Sequence, residues 1–146
     1  MYNRFVNDTF SVFTSEKESQ DFFHFLNNLH PALRVTLEGE GNNKLPFMDV
    51  LLRRQHVEFV RSVFRKPTFT GQYTRWDSFA PTGQKIKLIK SLTYRAPLIC
   101  SKSTLPDELK KLKNILMNHS YPEHIMDWVI KDTLDRKDQL VDKTSS

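Results

Sequence analysis

A few groups of residues in this chain have types and spacing that could do chemistry. The first is Asn7-Asp8, at the centre of Arg4-Phe5-Val6-Asn7-Asp8-Thr9-Phe10. A carboxylate beside a second oxygen-bearing side chain at a hairpin tip can offer ligands to Mg²⁺. Two-metal phosphoryl transfer needs several converging carboxylates, and one Asp on one hairpin does not supply them. The second group is cationic. Arg65 and Lys66 end a predicted strand, and Lys85, Lys87, Lys90 and Arg95 lie along a predicted helix. Such side chains contact phosphates, or simply stand in water.

Other constellations favour structure. His119 and His124 sit five apart across a turn with no third metal ligand evident. Cys100 has neither a Cys partner nor an obvious base and reads as a buried structural thiol. Ser11, Ser15 and Ser19 lie near Asp21 and His24, but one helix does not give a triad geometry. Gly39-Glu40-Gly41 lacks a following Lys-Ser/Thr at phosphate-loop spacing and reads as a turn. Asp49, in an apolar run, reads as structural more than catalytic.

The 146 residues suit one domain or a piece of a larger one. Mean hydropathy is −0.52, yet 11 Phe, 4 Tyr and 2 Trp can anchor a core. A single Cys excludes an internal disulfide framework. No apolar run reaches the ~18 residues of a membrane span, and the first residues lack a secretory pattern, so an intracellular protein is expected. The net charge of +5 is unevenly spread. Residues 53–113 hold 14 Lys/Arg against 4 Asp/Glu, whereas both flanks are net acidic. This block suits a polyanion, nucleic acid being the commonest inside cells, or a solvated surface.

The elements that position these groups follow from periodicity. Two β-prone arms flank Asn7-Asp8-Thr9, predicting a hairpin over 4–13. It begins so early that a truncated domain is expected. Ser15 with Glu18 fits a capping box, and Phe22, Phe25, Leu26 and Leu29 share one face, predicting a helix over 15–29 that ends at Pro31. Alternation predicts a strand over 33–37, and Gly39 to Asn43 a turn. Phe47–Leu52 and Val57–Phe64 read as a second hairpin joined by residues 53–56. Beyond an aromatic loop, a basic amphipathic helix covers 85–99, with Ile86, Ile89, Leu92 and Thr93 on one face and Lys85, Lys87, Lys90 and Arg95 elsewhere, stopped or bent near Pro97. Thr104 with Asp107 opens a second, with Leu105, Leu109, Leu112 and Leu116 inward and Lys110, Lys111 and Lys113 in solvent. A third follows Pro122 to about Gln139, with Ile125, Val129 (beside Trp128) and Thr133 or Leu134 inward, and a frayed tail over 141–146. The expected fold is α+β: a partial antiparallel sheet with one packed helix, then three helices.

Several stretches, in order, resemble Penelope-like retroelement reverse transcriptases. Arg4 to Phe10 resembles the R-Y-V-D-D-T-F form of the active-site hairpin. Leu45-Pro46-Phe47-Met48-Asp49-Val50 is similar to L-P-F-L-D-V, and Val63-Phe64-Arg65-Lys66-Pro67-Thr68 to V-Y-R-K-P-T. Tyr94-Arg95-Ala96 with Ile99-Cys100-Ser101 is similar to H-R-A…I-C-S, and Tyr121-Pro122 to G-Y-P. The resemblance covers about residues 4–140. It implies the C-terminal part of a palm over 1–66, a connecting loop over 67–81, and a helical, thumb-like helix-turn-helix region over 82–140, followed by a disordered tail over 141–146.

It further implies Mg²⁺ in the parent family, with Asp8 as catalytic metal ligand and Asn7 as the degenerate neighbour, and a primer–template duplex as partner. Asn7 stands where the family has its leading Asp. The upstream metal Asp, fingers and nucleotide site would precede residue 1. The expectation is therefore a fragment of an RNA-directed DNA polymerase, inactive alone, that binds no metal itself and retains at most sequence-independent nucleic-acid binding through Arg65, Lys66, Lys85, Lys87, Lys90 and Arg95. The alternatives are a helix-turn-helix DNA-binding module, in which the acidic last helix opposes phosphate, or an inert relic.

Overall fold

In the computed structural model, residues 2–5, 7–56 and 58–144 are described. They form an α+β fold with a helical C-terminal region. β1 (Tyr2–Phe5) and β2 (Asp8–Ser11) pair antiparallel with Phe5 opposite Asp8. Asp8 therefore opens a strand, and the turn holds Asn7, one residue earlier than the spacing predicts. Val6, within the predicted motif, lies outside the described residues.

Helix α1 spans Glu16–Asn28. Its N-cap is Ser15, whose Oγ accepts the Glu18 N–H at 3.3 Å. The reciprocal arm of the box is displaced by one residue: Glu18 accepts from the Thr14 N–H at 3.0 Å and the Thr14 hydroxyl at 2.8 Å. Those bonds hold the Glu18 carboxyl below its usual range. The Phe22 ring lies 5.5 Å from that of Phe13. No residue of α1 is buried, and Phe25 and Leu29 remain 58% and 55% exposed.

Residues 33–37 do not form the predicted strand. A strand needs a neighbour for its backbone groups, and here the Asn27 side chain serves instead. Its Oδ1 accepts the Val35 N–H at 2.8 Å, and its Nδ2 donates to the Val35 carbonyl at 3.2 Å. The second sheet has three strands, β3 (Lys44–Phe47), β4 (Val50–Gln55) and β5 (Glu58–Val63), in the order β3-β4-β5, all antiparallel. Asn42 (φ 52°) and Asn43 (φ 58°) make the tight turn into β3, the left-handed pair that favours Asn in two-residue hairpin loops. The predicted strand over Phe47–Leu52 is broken by a turn at Met48-Asp49, with Met48 at φ 54°. Arg53, Arg54 and Gln55, read as a connection, belong to β4, and His56 (φ 53°) turns the chain. Val57 lies outside the described residues. The β1–β2 ribbon is a sheet of its own, in contact with the larger sheet through the Phe10 and Phe47 rings, 5.6 Å apart.

Helices α2 (Thr82–Ile99), α3 (Leu105–Met117) and α4 (Glu123–Thr144) complete the chain. Helix α2 starts earlier than predicted and carries Pro97 in its last turn, where few backbone bonds are lost. Helix α4 runs to Thr144, past the expected end near 139, so the predicted tail is helical through that residue; Ser145 and Ser146 lie outside the described residues. Ile89, Leu116, Tyr121, Met126 and Val129 form the buried core, flanked by Trp76, Ile86 and Leu92. Among the described residues, every buried one lies at or beyond Lys85. The inward faces of α2, α3 and α4 match the predicted stripes, except that Trp128 is 60% exposed; the predicted stripe of α1 stays largely exposed at Phe25 and Leu29.

Strand β5 is tied to the α2–α3 junction. The Ser101 N–H donates to the Arg61 carbonyl at 3.0 Å, and the Arg61 N–H donates to Ser101 Oγ at 2.9 Å. The Thr104 hydroxyl also donates to the Arg61 carbonyl, at 2.5 Å. Thr104 therefore fixes the sheet instead of capping α3 with its side chain, the role its spacing to Asp107 predicts.

Candidate nucleic-acid interface

Helices α3 and α4 are joined by a turn over 118–122, with Ser120 at φ 64°. The aromatic loop before α2 locks this turn in place. His119 is buried between two backbone groups: Nδ1 lies 2.8 Å from the Ile115 carbonyl, and Nε2 accepts the Tyr73 N–H at 3.3 Å. With Nε2 accepting from Tyr73, Nδ1 is the nitrogen that donates to the carbonyl. The Trp76 N–H donates to the His119 carbonyl at 2.9 Å, and the Tyr121 hydroxyl donates to the Thr74 carbonyl at 2.9 Å. Burial pushes the Tyr121 hydroxyl pKa up. Arg75 holds Asp77 in a two-pronged pair at 2.9 and 2.8 Å and also donates to Ser120 Oγ at 3.1 Å. His119 is thus a structural residue, and His124, exposed on α4, is not its partner in a site.

The predicted phosphate-contacting cations divide into structural, paired and free. Lys85 faces inward, against the expectation. It is buried, with its ammonium donating to the Trp76 carbonyl at 2.6 Å and the Ser78 carbonyl at 2.8 Å, and lying 5.6 Å from the Trp76 ring centre. A charge so enclosed serves the fold. Helical spacing carried the signal, since Lys85 shares the inward stripe of Ile89, Thr93 and Ala96.

Arg65 is likewise turned inward. Its guanidinium forms a two-pronged pair with the buried Glu108 carboxylate and stacks 5.6 Å from the Phe69 ring centre. The hydrogen bonds to Glu108 raise the Arg65 pKa. Two exposed or half-exposed cations are paired: Lys90 with Asp132 at 3.5 Å, and Arg95 with Asp49 at 2.5 Å. Asp49 therefore sits in a turn and faces α2, not in an apolar strand. Lys66 and Lys87 are exposed and, among the described residues, make no ion pair or side-chain hydrogen bond. The same holds for Lys102, Lys110 and Lys111. The last two were legible as the solvent side of α3; Lys102 precedes the helix and had no periodic signal.

Asn7 and Asp8 are exposed on the first hairpin. Among the described residues no group of three or more His, Cys, Asp or Glu side chains is placed to hold a metal ion. Cys100 is buried at the end of α2, and burial pushes its thiol pKa up.

The outward side of α4 is acidic. Lys113 of α3 pairs with Asp127 at 2.7 Å and Glu123 at 3.4 Å, which raises the Lys113 pKa. Arg136 pairs with Asp132 on the same helix at 3.0 Å. Trp128 and Lys131 stand exposed between these groups.

The architecture is thus a helical unit, whose α3 and α4 form a helix-turn-helix, docked on a small antiparallel sheet. Residues 72–131 match the family model of the animal helix-turn-helix domain. That match takes in α2, α3, the first part of α4 and the loop that locks their turn. No curated protein and no solved structure matches the chain. No helix among the described residues is long and apolar enough to cross a membrane.

Proposed function

We propose that this chain binds duplex nucleic acid through the solvent sides of α2 and α3, without reading base sequence. The carrying observation is that a region similar to a helix-turn-helix domain exposes unpaired Lys87, Lys102, Lys110 and Lys111. Unpaired lysines release counterions from phosphates at little cost in broken ion pairs. Lys66 adds to this set; Lys90 and Arg95 join it if phosphate displaces their acidic partners. The resemblance to Penelope-like reverse transcriptases supports a finer reading. In it, residues 1–66 are the last part of a palm, 67–81 a connection and 82–140 a thumb-like region that tracks a primer–template duplex. Asp8 and Asn7 then mark a degenerate catalytic hairpin, and the chain has no polymerase activity of its own, Mg²⁺ binding belonging to the parent enzyme.

A second reading is a sequence-specific DNA reader with α4 in the major groove. The family match favours it. Against it, Glu123, Asp127 and Asp135 are exposed on α4 and would meet phosphates. Titration of the chain with duplexes of unrelated sequence, at several salt concentrations, separates the two. Equal affinities that fall steeply with salt support the proposal. A strong preference for one sequence supports the reader, and no binding at low salt overturns both.

A further inference from the structure

Where β5, the loop after it, α2 and α3 meet, there is a cleft of about 270 Å³. One wall is aromatic: the Phe69 and Tyr73 rings meet edge-on with centres 6.3 Å apart. At its inner end the Arg65–Glu108 pair is internally neutralised and leaves no charge to bind a ligand. The remaining charges on the cleft are Lys66, Arg95 and Asp49. Lys66 has no partner among the described residues, and Arg95 is held only by Asp49, with both side chains about half exposed or more. An ion pair in water contributes little, so a multivalent anion can take the place of Asp49 on Arg95. An aromatic wall beside two available cations suits a planar base joined to a phosphate.

We propose that this cleft binds one unstacked nucleotide, with its base against Phe69 and Tyr73 and its phosphate between Arg95 and Lys66. The inference rests on the nucleic-acid reading above and gives Lys66 and Arg95, at the edge of that surface, a specific ligand. Binding is followed through the backbone amide NMR signals of the full chain, titrated with AMP, adenosine and inorganic phosphate. AMP is expected to shift the amides of Lys66, Phe69 and Tyr73, with adenosine and phosphate each binding at least about tenfold more weakly. Phe69→Ala, at a 42% exposed residue outside the core, and Arg95→Ala are each expected to weaken AMP by about tenfold. Asp49→Asn, which frees Arg95, is expected to tighten AMP several-fold, and Glu58→Gln, which removes an exposed acid outside the cleft lining, to leave it unchanged.

A duplex with a short single-stranded overhang, compared with a blunt one, identifies the source of the nucleotide. A gain in affinity that Phe69→Ala removes assigns a strand; AMP binding without such a gain assigns a free nucleotide. Shifts outside the cleft, phosphate binding as well as AMP, or no tightening in Asp49→Asn would overturn the inference. Blunt-duplex binding that survives those results leaves the duplex reading intact. AMP binding in the cleft without any duplex binding overturns that reading alone.

Discussion

Replacing Arg65 with Met tests how the sheet and the helical unit are held together. The Glu108 side chain is 6% exposed and that of Arg65 23%, and two hydrogen bonds join them across 43 residues of chain. Removing one member of a buried pair costs about 3–5 kcal/mol, because the other charge is left desolvated. Arg65 keeps some contact with water, which screens the pair, so a loss below that range, about 2–3 kcal/mol, is expected. Met preserves part of the packing against Phe69, so the loss reports the charge more than the volume. For a chain of this size, that corresponds to a fall in melting temperature of very roughly 6–10 °C. The double variant Arg65→Met/Glu108→Leu, which removes both charges, should recover most of the loss. Urea unfolding followed by circular dichroism measures both variants. A single variant within about 0.5 kcal/mol of the parent chain, or a double variant no better than the single, refutes the reasoning.

Two further outcomes follow from buried groups around the same core. The Tyr121 pKa is raised by burial above its ordinary value of 10.0, so the folded state holds that proton more tightly than the unfolded chain. Its contribution is complete below pH 10 and is lost as pH rises toward the folded value. The urea midpoint should therefore fall above pH 10, and Tyr121→Phe, costing about 1 kcal/mol through its lost bond to Thr74, should fall less steeply there; parallel curves would contradict this. Cys100 is buried with a raised thiol pKa, so at pH 8 a disulfide reagent should label it far more slowly in the folded chain than in urea. A folded-state rate within about tenfold of the unfolded rate would contradict its burial.

Periodic signals located the helices, because an inward stripe repeats in sequence. The predicted stripes contain Ile89 and Thr93 on α2, Leu112 and Leu116 on α3, and Val129 on α4, all of them buried. The same periodicity places Lys85 and Glu108 on buried stripes, although the charge of Lys85 pointed it outward. Their partners, two carbonyls for Lys85 and Arg65 for Glu108, come from distant chain and leave no local pattern. The sheet was less legible. Its turns at Met48 and His56 use left-handed backbone without glycine, so neither carried the usual marker. Residues 33–37 alternate like a strand, yet no strand among the described residues pairs with them; Val35 is held by the Asn27 side-chain amide on α1 and Leu33 by the His30 carbonyl. In the site, solvent-facing Lys87, Lys110 and Lys111 follow from helical spacing. Whether Lys90 and Arg95 were free depended on Asp132 and Asp49, which only the folded chain brings near.

The most direct test of duplex binding is its salt dependence in a chain carrying Lys87, Lys102, Lys110 and Lys111 all changed to Ala. These side chains are exposed and unpaired among the described residues, so the variant should unfold at the parent's urea midpoint. Each phosphate contact contributes about 0.9 to the slope of log affinity against log salt. Binding to every duplex sequence should weaken, and the slope should be shallower by about 3–4. An unchanged slope, or a loss confined to one sequence, would contradict this.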